Sequence, residues 1–191
     1  MHTRDVVRGA AAGVIGGYVG TRVMNPVTTK LYEMAPEEDK QREKAVSPGS
    51  PYKIGARKAA DAVGVKLSDQ QIDLAASLMP YTLGIAGGVL YVVLRRIVRL
   101  NPILAGLLAG MTLFVVVDEG LTPTLGLSAP NREYPLSTHL RGFLGHLAYG
   151  AAVASTAEVL MSWEGRGDMP RARRGAPAGA RPAPRNPRGQ G

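Results

Sequence analysis

Five ionisable side chains fall within stretches that otherwise read as membrane-spanning helix: Asp118, Glu119, Arg141, His146 and Glu158. A charge inside a bilayer is expensive, so each such residue is a candidate for function. A carboxylate facing an imidazole can bind a cation or pass a proton. The same pair can also be purely structural, a polar contact that fixes the register of two helices. Asp118 lies near the outer end of one helix. His146 lies about seven residues into the next, or about 10 Å from its outer start. An antiparallel pair would bring them to the same depth. Arg141 sits one to two turns above His146 and is also expected to reach Asp118. Glu158 lies at the other end of its helix and is expected to pair with Arg95, Arg96, Arg8 or the tail.

Other chemistries are poorly supplied. The chain has no Cys, which excludes disulfides, thiol catalysis and thiolate-bound metals. His139 and His146 are seven apart, roughly on one helix face. Paired metal ligands on a helix are more usually three or four apart, so no metal is expected. The sequence contains no phosphate loop, nucleophile elbow or zinc-protease motif, and GVIGGYVG lies in an apolar segment rather than after a strand. Neither a catalytic residue nor a cofactor is expected, and the chain does not read as an enzyme.

The elements that would carry these residues follow from the apolar runs. Residues 74 to 94 are twenty-one without a charge, and a second such run of eighteen starts at Leu100. About twenty apolar helical residues cross a bilayer core of about 30 Å. Arg95, Arg96 and Arg99 lie between the two runs, so they read as a helical hairpin with a basic hinge. Asn101-Pro102 supplies the turn and first residue of the following helix, which is expected to run to about Val117, with Asp118, Glu119 and Gly120 opening a loop. Ser68 with Gln71 matches a capping box before the first run and predicts a helix start near Asp69. Pro80 predicts a kink.

Two further spans complete the fold class expected here, an all-α polytopic membrane bundle of four transmembrane helices over residues 1–163. The spans are about 6–26, 74–94, 102–120 and 139–161. The first is Gly-rich, with small-xxx-small spacings among Gly9, Gly13, Gly16, Gly17 and Gly20 that allow close helix approach. Arg8 and Arg22 must snorkel, and Asn25-Pro26 is expected to end this helix. Its Gly-rich centre and lack of a small-x-small site read as a retained span rather than a signal peptide.

The mean hydropathy of −0.02 looks soluble, but polar residues concentrate in two blocks. Residues 28–73 hold eight Lys/Arg and eight Asp/Glu and read as a polar extracytoplasmic connection. It carries an exposed helix in PEEDKQREKAVSPGSP and a second short helix from Ile54 to Val63, stopped by Gly64. Residues 164–191 hold seven Arg against Glu164 and Asp168, are rich in Pro, Gly and Ala, and read as a disordered tail. The net charge of +8 thus lies mainly at Arg4, Arg8, the hinge and the tail. With four spans these share one side, which the positive-inside rule makes cytoplasmic, as are both termini. Arg95, Arg96, Arg99, Arg171, Arg173 and Arg174 are expected to face anionic lipid headgroups. The tail has no aromatic residue to stack on bases, so nucleic acid is not the expected partner. The bilayer is, together with a second copy of the chain or another membrane protein.

GLLAG at Gly106–Gly110, GLTP at Gly120–Pro123 and GHL at Gly145–Leu147, followed by Glu158, resemble the YagU-like family of uncharacterised bacterial inner-membrane proteins. The likeness covers roughly residues 80 to 160. It implies a multi-span protein of the bacterial inner membrane, of unknown biochemical activity, with a suggested link to acid tolerance. Gly145, His146 and Glu158 would match the family's Gly-His and downstream Glu. The resulting expectation is a structural or accessory membrane protein with a link to acid or envelope stress. The alternative is a small proton- or ion-coupled transporter subunit using Asp118 and His146.

Overall fold

The computed structural model describes residues 3–97 and 100–167, and the side chains of 6–97 and 100–162. The described residues are all-helical, with no strand among them. Four long helices are α1 (Thr3–Met34), α4 (Asp69–Ile97), α5 (Pro102–Thr124) and α6 (Leu136–Gly167). Two short ones, α2 (Glu37–Val46) and α3 (Pro51–Ala62), lie in the polar connection.

Local chemistry sets several boundaries. The Ser68 backbone N–H donates to Gln71 Oε1 at 2.8 Å, and the Gln71 N–H donates to Ser68 Oγ at 3.3 Å. This reciprocal capping box starts α4. Asn101 Oδ1 accepts from the N–H groups of Ile103 and Leu104, with Pro102 at the first helical position of α5. Gly64 takes φ +70° just beyond α3, a backbone state that L side chains rarely adopt.

Two sequence-based boundaries are wrong. α1 does not end at Pro26 but continues to Met34. A proline inside a helix costs about 3 kcal/mol. Here the residues beyond it have tertiary partners that offset the cost: Thr28 packs on Gly145 of α6, and Tyr32 lies under Arg141. α5 does not stop at Val117 either. Phe114–Leu121 form a π-helical stretch, and the helix resumes over Thr122–Thr124. The Thr122 hydroxyl donates to the Val117 carbonyl five residues back at 2.8 Å, and the Thr122 backbone N–H donates to the same oxygen in the wider i→i+5 turn.

The four long helices form a bundle in which α1 and α6 make the central antiparallel pair. α4 packs on α1, and α5 packs on α6. The α1–α4 seam is built of glycine on both sides. Gly13 and Gly17 face Gly88 and Gly84, so a Cβ at Gly13 would stand 2.8 Å from the Gly88 carbonyl oxygen. A second glycine pair on α1, Gly16 and Gly20, faces Tyr149, Val153 and Ala157 of α6. On the other side of α6, Gly106 and Gly110 meet Gly150 and the His146 carbonyl. The core around these seams is Ala12, Tyr91, Val92, Tyr149, Val153, Ala154 and Ala157. The Tyr149 hydroxyl donates to the Gly84 carbonyl at 2.6 Å, joining α6 to α4.

The contacts order the two ends of the bundle. Gly9 lies beneath Arg96, and Arg95 meets Glu158. The start of α1, the hinge between α4 and α5, and the far half of α6 therefore share one end. The polar connection covers the other. Arg99, Arg171, Arg173, Arg174 and the tail from residue 168 lie outside the described residues. The helix reaches Gly167, so residues 164–167, expected in the tail, continue α6.

By length and apolarity, two of the described helices qualify as membrane spans, α4 and α5. α1 and α6 fall short because glycine, hydroxyl and charged residues dilute their apolar content. In α4 and α5 only 28% and 17% of the apolar window is buried. The core helix of a soluble protein would be mostly buried, so these two turn most of their apolar surface outward.

The seam predicts a contrast between glycines. Gly17→Ala places a methyl against the Gly84 backbone and should lower stability in detergent unfolding by about 1 to 3 kcal/mol. Gly55→Ala, in α3, meets its nearest atom at 3.7 Å. It should be neutral or stabilising by up to about 1 kcal/mol. Equal effects at the two sites would contradict the packing.

Candidate functional site

Two His–carboxylate pairs meet where the π-helical stretch of α5 lies against the first half of α6. Asp118 and Glu119 are consecutive, and both reach α6. Asp118 Oδ2 is 3.6 Å from His146 Nδ1. Glu119 Oε1 is 2.7 Å from His139 Nδ1. The expected pairing of Asp118 with His146 is therefore present. The pairing of Glu119 with His139 was not foreseen, although two His one heptad apart opposite two adjacent carboxylates carry a signal for it.

The tautomers follow from the acceptors. His146 Nδ1 is 3.0 Å from the Gly142 carbonyl, which can only accept, so this nitrogen carries the proton. The N–H points primarily at Gly142, and the Asp118 carboxylate lies just outside hydrogen-bond distance. His146 is 9% exposed. Phe114 flanks it with ring centroids 5.9 Å apart, and Phe143 meets Phe114 edge-on at 5.8 Å. His139 is different. Its Nε2 is 3.1 Å from the Asn131 carbonyl while its Nδ1 faces Glu119. The Asn131 amide in turn donates to the Glu119 backbone carbonyl at 2.7 Å.

Arg141 does not reach Asp118. Its guanidinium holds Glu43 of α2 in a two-point contact, Nη2 to Oε1 at 2.7 Å and Nη1 to Oε2 at 3.0 Å. The Thr138 hydroxyl adds a third hydrogen bond to Glu43 at 2.7 Å. Arg141 also lies over the Tyr32 ring of α1, 5.0 Å from its centre. A fork-shaped guanidinium satisfies a carboxylate better than a single distant oxygen of Asp118 would. Nothing in the sequence distinguishes Glu43 from the other seven acids of the connection. Burial alone would raise the Glu43 pKa, but the hydrogen bonds from Arg141 and Thr138 and the guanidinium charge hold it below its ordinary value.

The polar connection is tied down around this site at further points. Arg42 donates to the Glu133 carbonyl at 3.0 Å, and Lys58 to the Leu125 carbonyl at 2.6 Å. Tyr52 of α3 lies close enough to Asp118 to feel its carboxylate. At the hinge end, Glu158 pairs with Arg95 at 3.0 Å. The Tyr91 hydroxyl lies 3.2 Å from Glu158 and 3.3 Å from the Pro102 carbonyl. Glu158 is thus held by α4, and Tyr91 extends that contact to α5. Arg96 packs across Gly9.

No group of three or more metal-ligating side chains occurs among the described residues. Among the described residues, two shallow clefts stand out. One is polar and lies under α3, between Arg57, Asp61, Lys66 and Ile72. The other is apolar, between α4 and α5 at Leu94, Leu100, Ala105 and Leu108. Neither is lined by the His–carboxylate pairs.

No protein-family model, curated protein or solved structure matches the chain.

The Glu43 contact predicts an acid limb. A carboxyl whose folded pKa is lowered adds stability above its unfolded value, about 4.3. That stability is lost as pH falls through the folded value. Glu43→Gln should therefore unfold at lower denaturant than the native chain at about pH 6, and the two should converge as pH falls below about 4.3 and Glu43 becomes protonated. A gap that persists in acid would mean that Glu43 acts by packing rather than charge.

Proposed function

We propose that this chain is a four-span helical protein of the bacterial cytoplasmic membrane with a structural or accessory role. Both termini and the basic hinge face the cytoplasm, and the polar connection faces outward. One observation carries this reading. Large apolar side chains point away from the bundle on all four long helices, among them Val14 of α1, Leu83 and Leu90 of α4, Val115 of α5, and Leu144 and Val159 of α6. Exposed apolar surface on this scale calls for a non-aqueous surrounding. Shared exposure extends the reading from α4 and α5 to α1 and α6, whose seams are built on glycine.

The likeness to the YagU-like family belongs to the same proposal. Gly106, Gly110 and His146, which help carry it, meet in the α5–α6 seam. The family's suggested link to acid tolerance is consistent with two His–carboxylate pairs at one end. An accessory role is supported by these contacts: Arg141 and Glu43, and Glu158 and Arg95, spend hydrogen bonds on one another across helices. Anionic headgroups remain the partner for the basic hinge and tail.

A second reading, a proton- or ion-coupled transporter subunit, is favoured by the 3.6 Å approach of Asp118 to His146. It requires the two to be coupled. In a double-mutant cycle, Asp118→Ala and His146→Ala should show a coupling of about 0.5 to 2 kcal/mol in detergent unfolding. With that coupling, the double variant should leave proton flux in proteoliposomes unchanged if the role is structural, and abolish it if the pair transports. Additive losses would remove the support for transport.

The topology is tested by thiol labelling, since the chain has no native Cys. Ser47→Cys should react with an impermeant reagent in intact cells, and Asn101→Cys should react only after permeabilisation. External labelling at both positions would overturn the four-span reading.

A further inference from the structure

The hydrogen-bond parity of His139 is unusual. Both ring nitrogens face oxygen: Nδ1 faces Glu119 Oε1 at 2.7 Å, and Nε2 faces the Asn131 carbonyl at 3.1 Å. A carbonyl only accepts, and an ionised carboxylate only accepts. A neutral imidazole has one N–H and cannot satisfy both. The geometry needs one more proton, carried as an imidazolium beside a carboxylate or as a carboxylic acid donating to neutral Nδ1. We propose that Glu119 and His139 hold one proton in common, and that this proton latches the 125–135 loop onto the polar end of the bundle and releases it as pH rises. The inference rests on donor and acceptor counts and is independent of the reading of the protein's role.

The release step balances simply. When the shared proton leaves to water, one N–H remains on the ring. The carboxylate is the stronger acceptor, so the N–H stays on Nδ1 towards Glu119. The lone pair of Nε2 then faces the Asn131 oxygen, and that contact turns from attraction to repulsion. Asn131 is the anchor of its loop: it starts the 3₁₀ turn Asn131–Glu133, and the Tyr134 N–H donates to its carbonyl. The Asn131 amide bond to the Glu119 backbone does not titrate and keeps the loop near its place.

The surrounding charges are already engaged. From α5, Asp118 lies beside His146. From α6, Arg141 is held by Glu43 of α2, and Thr138, next to His139, donates to the same Glu43. Arg42 of α2 donates to the Glu133 carbonyl, and Lys58 of α3 donates to the Leu125 carbonyl. Tyr52 of α3 lies by Asp118. Arg132, Glu133 and Tyr134 are the titratable groups of the loop itself. The Tyr134 N–H already donates to the Asn131 carbonyl, but none of these contacts supplies a donor to the Nε2 lone pair that deprotonation leaves.

The test uses the full chain in proteoliposomes. Ser128→Cys, in the half-buried loop, reports opening, and Ser50→Cys, at the exposed turn before α3, is the reference for the thiol's own ionisation. The ratio of their maleimide rates should rise several-fold as pH is raised and the shared proton is lost. Glu119→Gln is the decisive variant. Its amide can donate to Nδ1 while Nε2–H donates to Asn131, so the ratio should stay low at every pH. His139→Gln cannot donate to both acceptors in this geometry and should keep the ratio high throughout. Asp118→Asn should leave the native profile unchanged. A flat native profile would overturn the proposal without reference to any variant. So would a Glu119→Gln profile like the native one, or loss of the pH dependence in Asp118→Asn, which would assign it to His146.

Discussion

Close approach of helix backbones is the constraint from which the remaining structure follows. In a hydrocarbon surrounding, apolar side chains gain nothing by leaving lipid for protein. Helices there associate through packing and polar contacts. α1 meets that condition on two faces. Gly13 and Gly17 bring it against Gly84 and Gly88, and Gly16 and Gly20 bring it against Tyr149 and Val153. With small residues inward, the large apolar residues of α1, among them Val14 and Ile15, are left outside. The same division appears in α5, where Gly106 and Gly110 face α6 while Leu104 and Val115 face out.

Polar contacts then fix register at both ends of these seams. At the hinge end Arg95, Glu158 and Tyr91 bind α4 to α6, and Tyr91 also approaches the start of α5. At the polar end Arg141 binds α6 to α2 and covers Tyr32 of α1. The π-helical stretch lies between these points. Its wider turn lets consecutive carboxylates, Asp118 and Glu119, reach two His a heptad apart. A regular α-helix would separate those side chains further around its axis.

The legible parts of the sequence were those governed by local chemistry. Ser68 with Gln71 and Asn101 with Pro102 cap their helices because the cap needs only the residues beside it. The glycines of α1 and the Asp118–His146 pairing were readable because helix geometry fixes face and depth. Pro26 was misread because its local penalty is outweighed by partners on α6 more than a hundred residues away. Arg141 was assigned to Asp118 because depth is readable, whereas the return of α2 onto the bundle is not. Glu43 carries no mark in the sequence. Hydropathy marks only α4 and α5 as spans among the described residues, because glycine, hydroxyl and charged residues dilute the apolar content of α1 and α6.

The central claim is that the outward apolar face of all four long helices contacts acyl chains. Nitroxide spin labels at Val14, Leu83, Val115 and Leu144, one at a time in lipid bilayers, test it most directly. Collisions with oxygen, which concentrates in the bilayer, should dominate over collisions with a water-soluble nickel chelate at all four positions. Strong nickel access at Val14 and Leu144 would place α1 and α6 in water and contradict the four-span bundle.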